Sequence, residues 1–236
     1  MAKIDLSKYG ITGTTEIVYN PSYEMLFEEE MKPELEGYEK GQESELGAVN
    51  VMTGVYTGRS PKDKFIVDTP SVHDDIAWGS VNVPITQEKF NAIRSKVIAY
   101  LQNREIFIFD GMAGADPVCT RKFRIINELA SQNLFIHELL IRPTAEELEN
   151  YGEADFTIFV APGFKCIPEI DGTHSEAAII VDYEQKQVVI CGSQYSGEIK
   201  KSVFSVMNFL MPKEGVLPMH CSANMDPETH ETAVLF

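Results

Sequence analysis

Apolar and polar positions alternate along the chain in a way that predicts interleaved strands and helices. Apolar residues recur at helical spacing from Thr86 to Leu101 and again through GEIKKSVFSVMNFLMP, where Pro212 ends the pattern. Short apolar runs predict strands at KFIVD, EIFIFDG, DFTIFVAP, AAIIVD and QVVIC. The last two flank YEQK and predict a hairpin, which excludes a purely parallel sheet. We therefore expect a layered α/β domain with a mixed β-sheet flanked by helices.

Shorter signals locate further elements. Asn20 is predicted to cap a helix whose first turn contains Pro21. The glutamates that continue through Glu45 are predicted to form a solvated face and loop. RKFRIINELASQNLFIHELLIRP could form one helix, but we prefer a strand near Lys122–Glu128 followed by a helix up to Leu140. Thr144 with Glu147 predicts a capping box. VLPMHCSAN and TAVLF are expected to form short strands close to Phe236.

Composition and charge exclude several classes of partner. The chain has 236 residues, is 44% hydrophobic and carries a formal charge of −16. Such a charge disfavours nucleic acid and acidic membrane surfaces as partners. The four cysteines form no C-x-x-C pair, which argues against structural zinc. Because no signal peptide or apolar stretch of about 20 residues occurs, we expect a cytoplasmic protein.

Arg59 is the first candidate for chemistry. It lies in TGVYTGRS, where Gly54 and Gly58 enclose three residues rather than the four of a phosphate-binding P-loop. An arginine on a glycine turn is suited to a carboxylate, which it can hold through two parallel hydrogen bonds. A solvated turn arginine is the alternative, and the residues alone leave both open.

Two adjacent lysines follow a glycine-bearing turn in GSQYSGEIKK. Lys200 and Lys201 lie near a predicted helix N-terminus, whose dipole disfavours cations, and each repels the other. This placement lowers lysine pKa values and favours a neutral amine, which can act as nucleophile, base or metal ligand. Both lysines pointing to solvent is the alternative. His220, predicted to follow a strand VLPM, is either a metal ligand or a core histidine.

Together these stretches closely resemble the ATP-dependent phosphoenolpyruvate carboxykinase family. The resemblance rests on IVYNPSYE, TGRSPKDKFIV, IRPTAEEL, GEIKKSVFSVMNFLMP and MHCSAN, which occur in the family's order over nearly the whole chain. It covers the family's N-terminal domain only. It implies that residues 1–236 form a single substrate-binding domain and that the C-terminal nucleotide-binding domain, with its P-loop, is absent.

The family converts oxaloacetate and ATP into phosphoenolpyruvate, ADP and CO2, a step of gluconeogenesis, with Mn²⁺ and Mg²⁺. The resemblance implies that Arg59 binds the substrate carboxylate and that Tyr195 lines the substrate and CO2 pocket. It implies that Lys201 and His220 ligate Mn²⁺ and contact ATP at that site. Lys200 would stabilise the enolate and the phosphoryl group. SQYSG replaces the family's frequent TWYGG around Tyr195, and GMAG at Gly111–Gly114 replaces its frequent AFCG.

Two other functions are open to these residues. A lysine whose pKa is lowered by a neighbouring cation also suits a Schiff-base decarboxylase that uses Lys200 or Lys201. A stand-alone domain that binds dicarboxylates without turnover is the second. TAVLF ends at Phe236 without a polar tail, so we expect a domain cut from a longer enzyme. We also expect this chain alone to be inactive or nearly so.

Overall fold

A computed structural model describes residues 4–236. The chain divides into two compact units, a first that extends to Ser202 and a second formed by Val203–Phe236. The helices are α1 (Tyr23–Glu30), α2 (Gln87–Leu101), α3 (Ala130–Leu139), α4 (Ala145–Glu149), α5 (Pro168–Asp171) and α6 (Gly197–Leu210). The strands are β1 (Glu16–Tyr19), β2 (Gln42–Glu43), β3 (Val49–Asn50), β4 (Lys64–Val67), β5 (Val83–Ile85), β6 (Glu105–Ala113), β7 (Arg121–Asn127), β8 (Phe156–Ala161), β9 (Ala178–Asp182), β10 (Gln187–Cys191), β11 (Ser222–Met225) and β12 (Thr232–Leu235).

An eight-stranded mixed sheet forms the centre of the first unit. Its strand order is β1-β6-β7-β8-β10-β9-β4-β5. The β6–β7 and β9–β10 pairs are antiparallel, and the other neighbouring pairs are parallel. The predicted α/β fold with a mixed sheet is confirmed, and so is the hairpin of β9 and β10.

Helices cover both faces of this sheet. Successive side chains of a strand point to opposite faces. Accordingly, Ile106 and Ile108 belong to the core cluster that contains the apolar face of α2, whereas Phe107 packs with Leu26 of α1 and Ala130 of α3. Within residues 4–236, no helix has the length and apolarity needed to cross a membrane.

The predicted helix from Thr86 and the predicted capping box are confirmed. The Thr86 side chain accepts a hydrogen bond from the Lys89 N–H at 3.2 Å and caps α2. Thr144 and Glu147 form the predicted capping box of α4.

Three sequence-based predictions are wrong. Ser22, rather than Asn20, caps α1, and Asn20 adopts a φ of 41° while its side chain binds the backbone of Asp110. Glu30 is buried instead of solvated, because α3 packs against α1 at this point and the Ser131 N–H donates to the Glu30 carboxylate. VLPM is not a strand. The strand is β11, and Pro218 lacks the N–H that a strand ladder needs.

Candidate functional site

The loop that carries Arg59 lies against the turn and helix start that carry Tyr195, Lys200 and Lys201. The Ser60 N–H donates a hydrogen bond of 2.6 Å to Oε1 of Glu198, in the first turn of α6. At the other end of the loop, Gly54 packs closely against the Gln194 side chain. A Cβ added at position 54 would lie 1.9 Å from Oε1 of Gln194, which leaves room only for glycine. The fold therefore brings together two of the segments selected from the sequence, although 138 residues separate Ser60 from Glu198.

A glycine turn sets the direction in which α6 leaves the sheet. Gly192 follows β10 with a φ of 72°, in the left-handed region that favours glycine. A Cβ at Gly192 would lie 2.4 Å from the carbonyl oxygen of Glu176. The helix then begins with the Glu198 N–H donating to the Tyr195 carbonyl at 3.2 Å. Tyr195 thus belongs to the turn itself, next to the helix start.

Hydrogen bonds within the first unit hold the Arg59 loop from its other side. Asp63 is buried and accepts hydrogen bonds from the hydroxyls of Ser60 and Ser175, the latter at 2.8 Å. The Tyr56 hydroxyl lies 3.1 Å from the Ser175 hydroxyl. The His174 ring, for which the sequence indicated no partner, contacts the Lys62 carbonyl through Nδ1. These contacts fix the backbone on both sides of Arg59.

The charged residues of the two segments change the pKa of Lys201. Burial lowers the pKa of the Lys201 ammonium, and the charges of Arg59 and then Lys200 lower it further. The direction is the one expected from the adjacent lysines, but Arg59 has a larger effect than Lys200. Because a lower pKa makes the neutral amine more accessible, Lys201 is suited to act as a ligand or nucleophile.

Two charged residues of this cluster were not predicted from the sequence. Burial raises the pKa of the Glu198 carboxyl, whereas the Ser60 N–H, Arg59 and Lys64 lower it. Burial lowers the pKa of Lys64, and Arg59 acts in the same direction. The sequence shows Glu198 only as an acidic residue in a first helical turn, where the helix dipole favours it. Nothing in its spacing indicates a contact with Ser60.

His220 belongs to the second unit. It lies two residues before β11, and its ring meets the ring of Phe204 edge-on at 5.7 Å. The predicted position at the end of a preceding strand is therefore wrong. Its role as a metal ligand stays a prediction.

The other histidines and the cysteines give no site. Burial lowers the pKa of His137, whose Nδ1 lies 2.8 Å from the Asn133 carbonyl and whose ring packs on Phe109. All four cysteines are free thiols, and Cys166 and Cys191 are buried side by side. Within the described part of the chain, no three His, Cys, Asp or Glu side chains form a group that could hold a metal ion.

Comparison with known proteins identifies relatives over nearly the whole chain. The sequence profile of the phosphoenolpyruvate carboxykinase family matches residues 15–236. Phosphoenolpyruvate carboxykinase (ATP) of Fusobacterium nucleatum is 60% identical over 231 residues, which cover 98% of this chain and 43% of that protein. The protein of the same name from Caldanaerobacter subterraneus is 49% identical over 233 residues, 99% of this chain and 43% of the relative.

A third relative has the same function in its name. Phosphoenolpyruvate carboxykinase (ATP) 1 of Moorella thermoacetica is 56% identical over 190 residues, 80% of this chain and 36% of that protein. The chain thus spans less than half the length of the curated relatives it matches.

Proposed function

Because the chain belongs to the phosphoenolpyruvate carboxykinase family, we propose that it supplies the oxaloacetate-binding part of a carboxykinase active site. The reaction converts oxaloacetate and ATP into phosphoenolpyruvate, ADP and CO2, and it serves gluconeogenesis in the cytoplasm. Since the chain spans 43% of the length of its relative from Fusobacterium nucleatum, we assign this reaction to a longer enzyme. Residues 1–236 form the N-terminal, substrate-binding domain of that enzyme, and the nucleotide-binding domain follows them.

One observation carries the proposal: the Arg59 loop and the start of α6 are hydrogen-bonded to each other, and the charge of Arg59 acts on Lys201. A dianionic keto acid needs cations on two sides of one small space. Arg59 offers a planar guanidinium that can bind a carboxylate through two hydrogen bonds. Lys200 and Lys201 offer charge or a neutral amine at the opposite side of the contact.

Each residue has a separate task in this proposal. Arg59 orients oxaloacetate by its carboxylate, and Tyr195 lines the pocket from which CO2 leaves. Lys200 offsets the negative charge that develops on the enolate oxygen and on the transferred phosphoryl group. Glu198 holds the Ser60 backbone and thereby fixes Arg59 with respect to the two lysines.

Lys201 and His220 are the residues proposed to hold Mn²⁺ and, through it, ATP. The donor chemistry fits, since an amine and an imidazole each bind a metal through a nitrogen lone pair, and the lowered pKa of Lys201 favours the neutral amine. When bound, the metal polarises the substrate carbonyl and neutralises phosphate charge. The remaining ligands, and the Mg²⁺ that accompanies ATP, are proposed to belong to the rest of the enzyme.

The assay that tests this function mixes the purified chain with oxaloacetate, ATP and Mn²⁺ and measures phosphoenolpyruvate. We expect no formation above the background without protein, because most of the ATP site is outside these residues. Borohydride treatment with a keto acid should trap no lysine. Phosphoenolpyruvate formation would contradict the proposal that this chain holds only part of the active site. A trapped Lys200 or Lys201 would favour the Schiff-base decarboxylase instead.

A further inference from the structure

The peptide group between Gln194 and Tyr195 is held at both of its polar atoms. Its N–H, which belongs to Tyr195, donates to the Ser193 hydroxyl at 3.3 Å. Its carbonyl oxygen, which belongs to Gln194, accepts a hydrogen bond from Nε2 of Gln132 at 3.3 Å. A peptide group is planar, so hydrogen bonds at both ends fix the plane from which the Tyr195 Cα continues. The direction of Tyr195 therefore depends on Ser193 and on Gln132.

Gln132 reaches this peptide group from a separate element. It lies in the first turn of α3, 62 residues away from Gln194 in sequence, and it is 1% exposed. Ser193 belongs to the turn itself, whereas α3 packs on the sheet through Ala130, next to Phe107 of β6. The hydrogen bond of Gln132 thus connects the turn before α6 to the body of the first unit.

The buried amide of Gln132 is not explained by core packing. Its Oε1 has no hydrogen-bond partner among the residues that the structure describes. Burial of an amide oxygen without a partner is unfavourable, and an apolar side chain of similar size would avoid this penalty. What the glutamine contributes is therefore the hydrogen bond from its Nε2 to the Gln194 carbonyl.

The start of α3 is itself held in place by buried hydrogen bonds. Nδ2 of Asn127 donates to the Leu129 carbonyl at 2.6 Å, and Nδ2 of Asn133 donates to Oδ1 of Asn127 at 2.8 Å. The Ser131 N–H donates to the buried carboxylate of Glu30. A donor that is fixed in this way can hold a neighbouring turn in one position, which a donor on a mobile loop could not do.

The residues on both sides of the peptide group face the candidate site. The Gln194 side chain packs against Gly54, in the segment that leads to Arg59. The Tyr195 ring lies across the start of α6, since a Cβ added to Gly197 would lie 2.4 Å from Cε1 of this ring. A rotation of the peptide group would therefore displace the Gln194 side chain and the Tyr195 ring together.

We propose that Gln132 is a positioning residue of the candidate site, whose hydrogen bond to the Gln194 carbonyl holds Tyr195 in the orientation that lines the substrate pocket. The inference rests on the proposed function, which assigns Tyr195 to that pocket. Gln132 acts through the Gln194 backbone and does not itself contact the substrate. Substrate affinity thus depends on a side chain of α3, outside both segments that were selected from the sequence.

Fluorine NMR of the chain labelled with 3-fluorotyrosine, together with calorimetry of oxalate binding in the presence of Mn²⁺, tests this role. Tyr195→Phe identifies the Tyr195 signal. Gln132→Met keeps the length of the side chain and removes both polar atoms. It should shift the Tyr195 signal and weaken oxalate binding about fivefold, the value of one neutral hydrogen bond. The unfolding temperature should change little, because the unpaired oxygen is removed as well.

Gln102→Met is the matched control for a loss of stability. Gln102 also donates through Nε2 to a backbone carbonyl, that of Gly10 at 2.7 Å, and its Oε1 accepts from the Gly13 N–H at 2.9 Å. These hydrogen bonds lie at the end of α2. The control should unfold at a lower temperature and leave the Tyr195 signal and the oxalate affinity unchanged. Equal weakening of oxalate binding by Gln102→Met and Gln132→Met would overturn the inference.

Gln132→Ala repeats the test with a side chain too small to clash, and it should give the same two changes. An unchanged Tyr195 signal, or an unchanged oxalate affinity, in both Gln132 variants would overturn the inference. A response to Arg59→Gln without a response to either Gln132 variant would contradict the role of Gln132 alone. If the unaltered chain does not bind oxalate, the proposed function fails, and the inference fails with it.

Discussion

Lys201 shows how a single side chain depends on the residues around it. Its direct neighbour in the sequence, Lys200, lowers the pKa of Lys201, but burial and Arg59 act more strongly. The adjacent lysines in the sequence therefore predicted that the pKa of Lys201 is lowered. The larger of the two charge effects comes from Arg59, in a loop that is distant in sequence. No spacing rule connects residues 59 and 201, because only the folded chain brings them together.

The two lysines are expected to respond differently to removal. Lys201→Ala should reduce Mn²⁺ affinity by about tenfold or more, since the proposed nitrogen ligand is lost, while Lys200→Ala should change it only slightly. Binding of Mn²⁺ measured by electron paramagnetic resonance separates the two outcomes. Equal losses for both variants would contradict the division of roles between the lysines.

Glu198 is a residue whose importance only the structure shows. Glu198→Ala leaves the Ser60 N–H without its acceptor and should lower the free energy of unfolding by about 1–3 kcal/mol. Glu198→Gln keeps an oxygen that can accept this hydrogen bond, so its loss should be smaller. Urea unfolding of both variants gives the comparison.

The control for this comparison is Glu146→Ala. Glu146 is an exposed glutamate in the first turn of α4, so its loss reports the helix-dipole effect without a contact such as that to Ser60. If all three variants lose the same small amount, the hydrogen bond to Ser60 contributes nothing measurable.

At the scale of elements, hydrophobic periodicity was a reliable guide where an element buries one face. It predicted α2 and the hairpin of β9 and β10, whereas the segment of β7 and α3 also allowed a single helix. The apolar face of α2 is buried in the core cluster, and β9 and β10 are buried strands of the sheet, so the sequence pattern and the burial coincide.

The predictions failed where contacts distant in sequence decide the outcome. Asn20 has the chemistry of a helix cap, but its side chain binds the backbone of Asp110 in β6 instead. The run of glutamates appeared uniform in sequence, yet α3 covers Glu30 alone among the glutamates of α1. A local pattern contains no information about which neighbour a side chain will meet after folding.

The turn between β10 and α6 can be tested through its glycine. Gly192→Ala combines a left-handed backbone with a contact of 2.4 Å to the Glu176 carbonyl. Gly152 has a similar φ of 68°, and a Cβ there would meet nothing within 4 Å. We expect Gly152→Ala to cost about 1–2 kcal/mol of stability and Gly192→Ala clearly more. Equal unfolding free energies for the two variants would show that the turn can relax without displacing α6.

At the scale of the whole molecule, most of the residues proposed to bind the substrate lie in the first unit. Arg59 and the two lysines lie in that unit, where the Arg59 loop is hydrogen-bonded to the start of α6, whereas His220 lies in the second unit. The family and its fold class were accessible from the sequence, because long motifs occur in order over most of the chain. The order of strands in the sheet and the contact between Glu198 and Ser60 required the structure.

Binding of a small dicarboxylate is the most direct test of this account. Oxalate, titrated by calorimetry into the chain with Mn²⁺ present, should bind to the unaltered chain and equally to Arg142→Gln. Arg142 is an exposed arginine of the first unit that contacts Tyr23. Arg59→Gln should bind oxalate about 10- to 100-fold more weakly, the value of a lost charge-assisted hydrogen-bond pair. If Arg59→Gln binds oxalate as tightly as Arg142→Gln, Arg59 does not hold the substrate carboxylate and the proposed site is wrong.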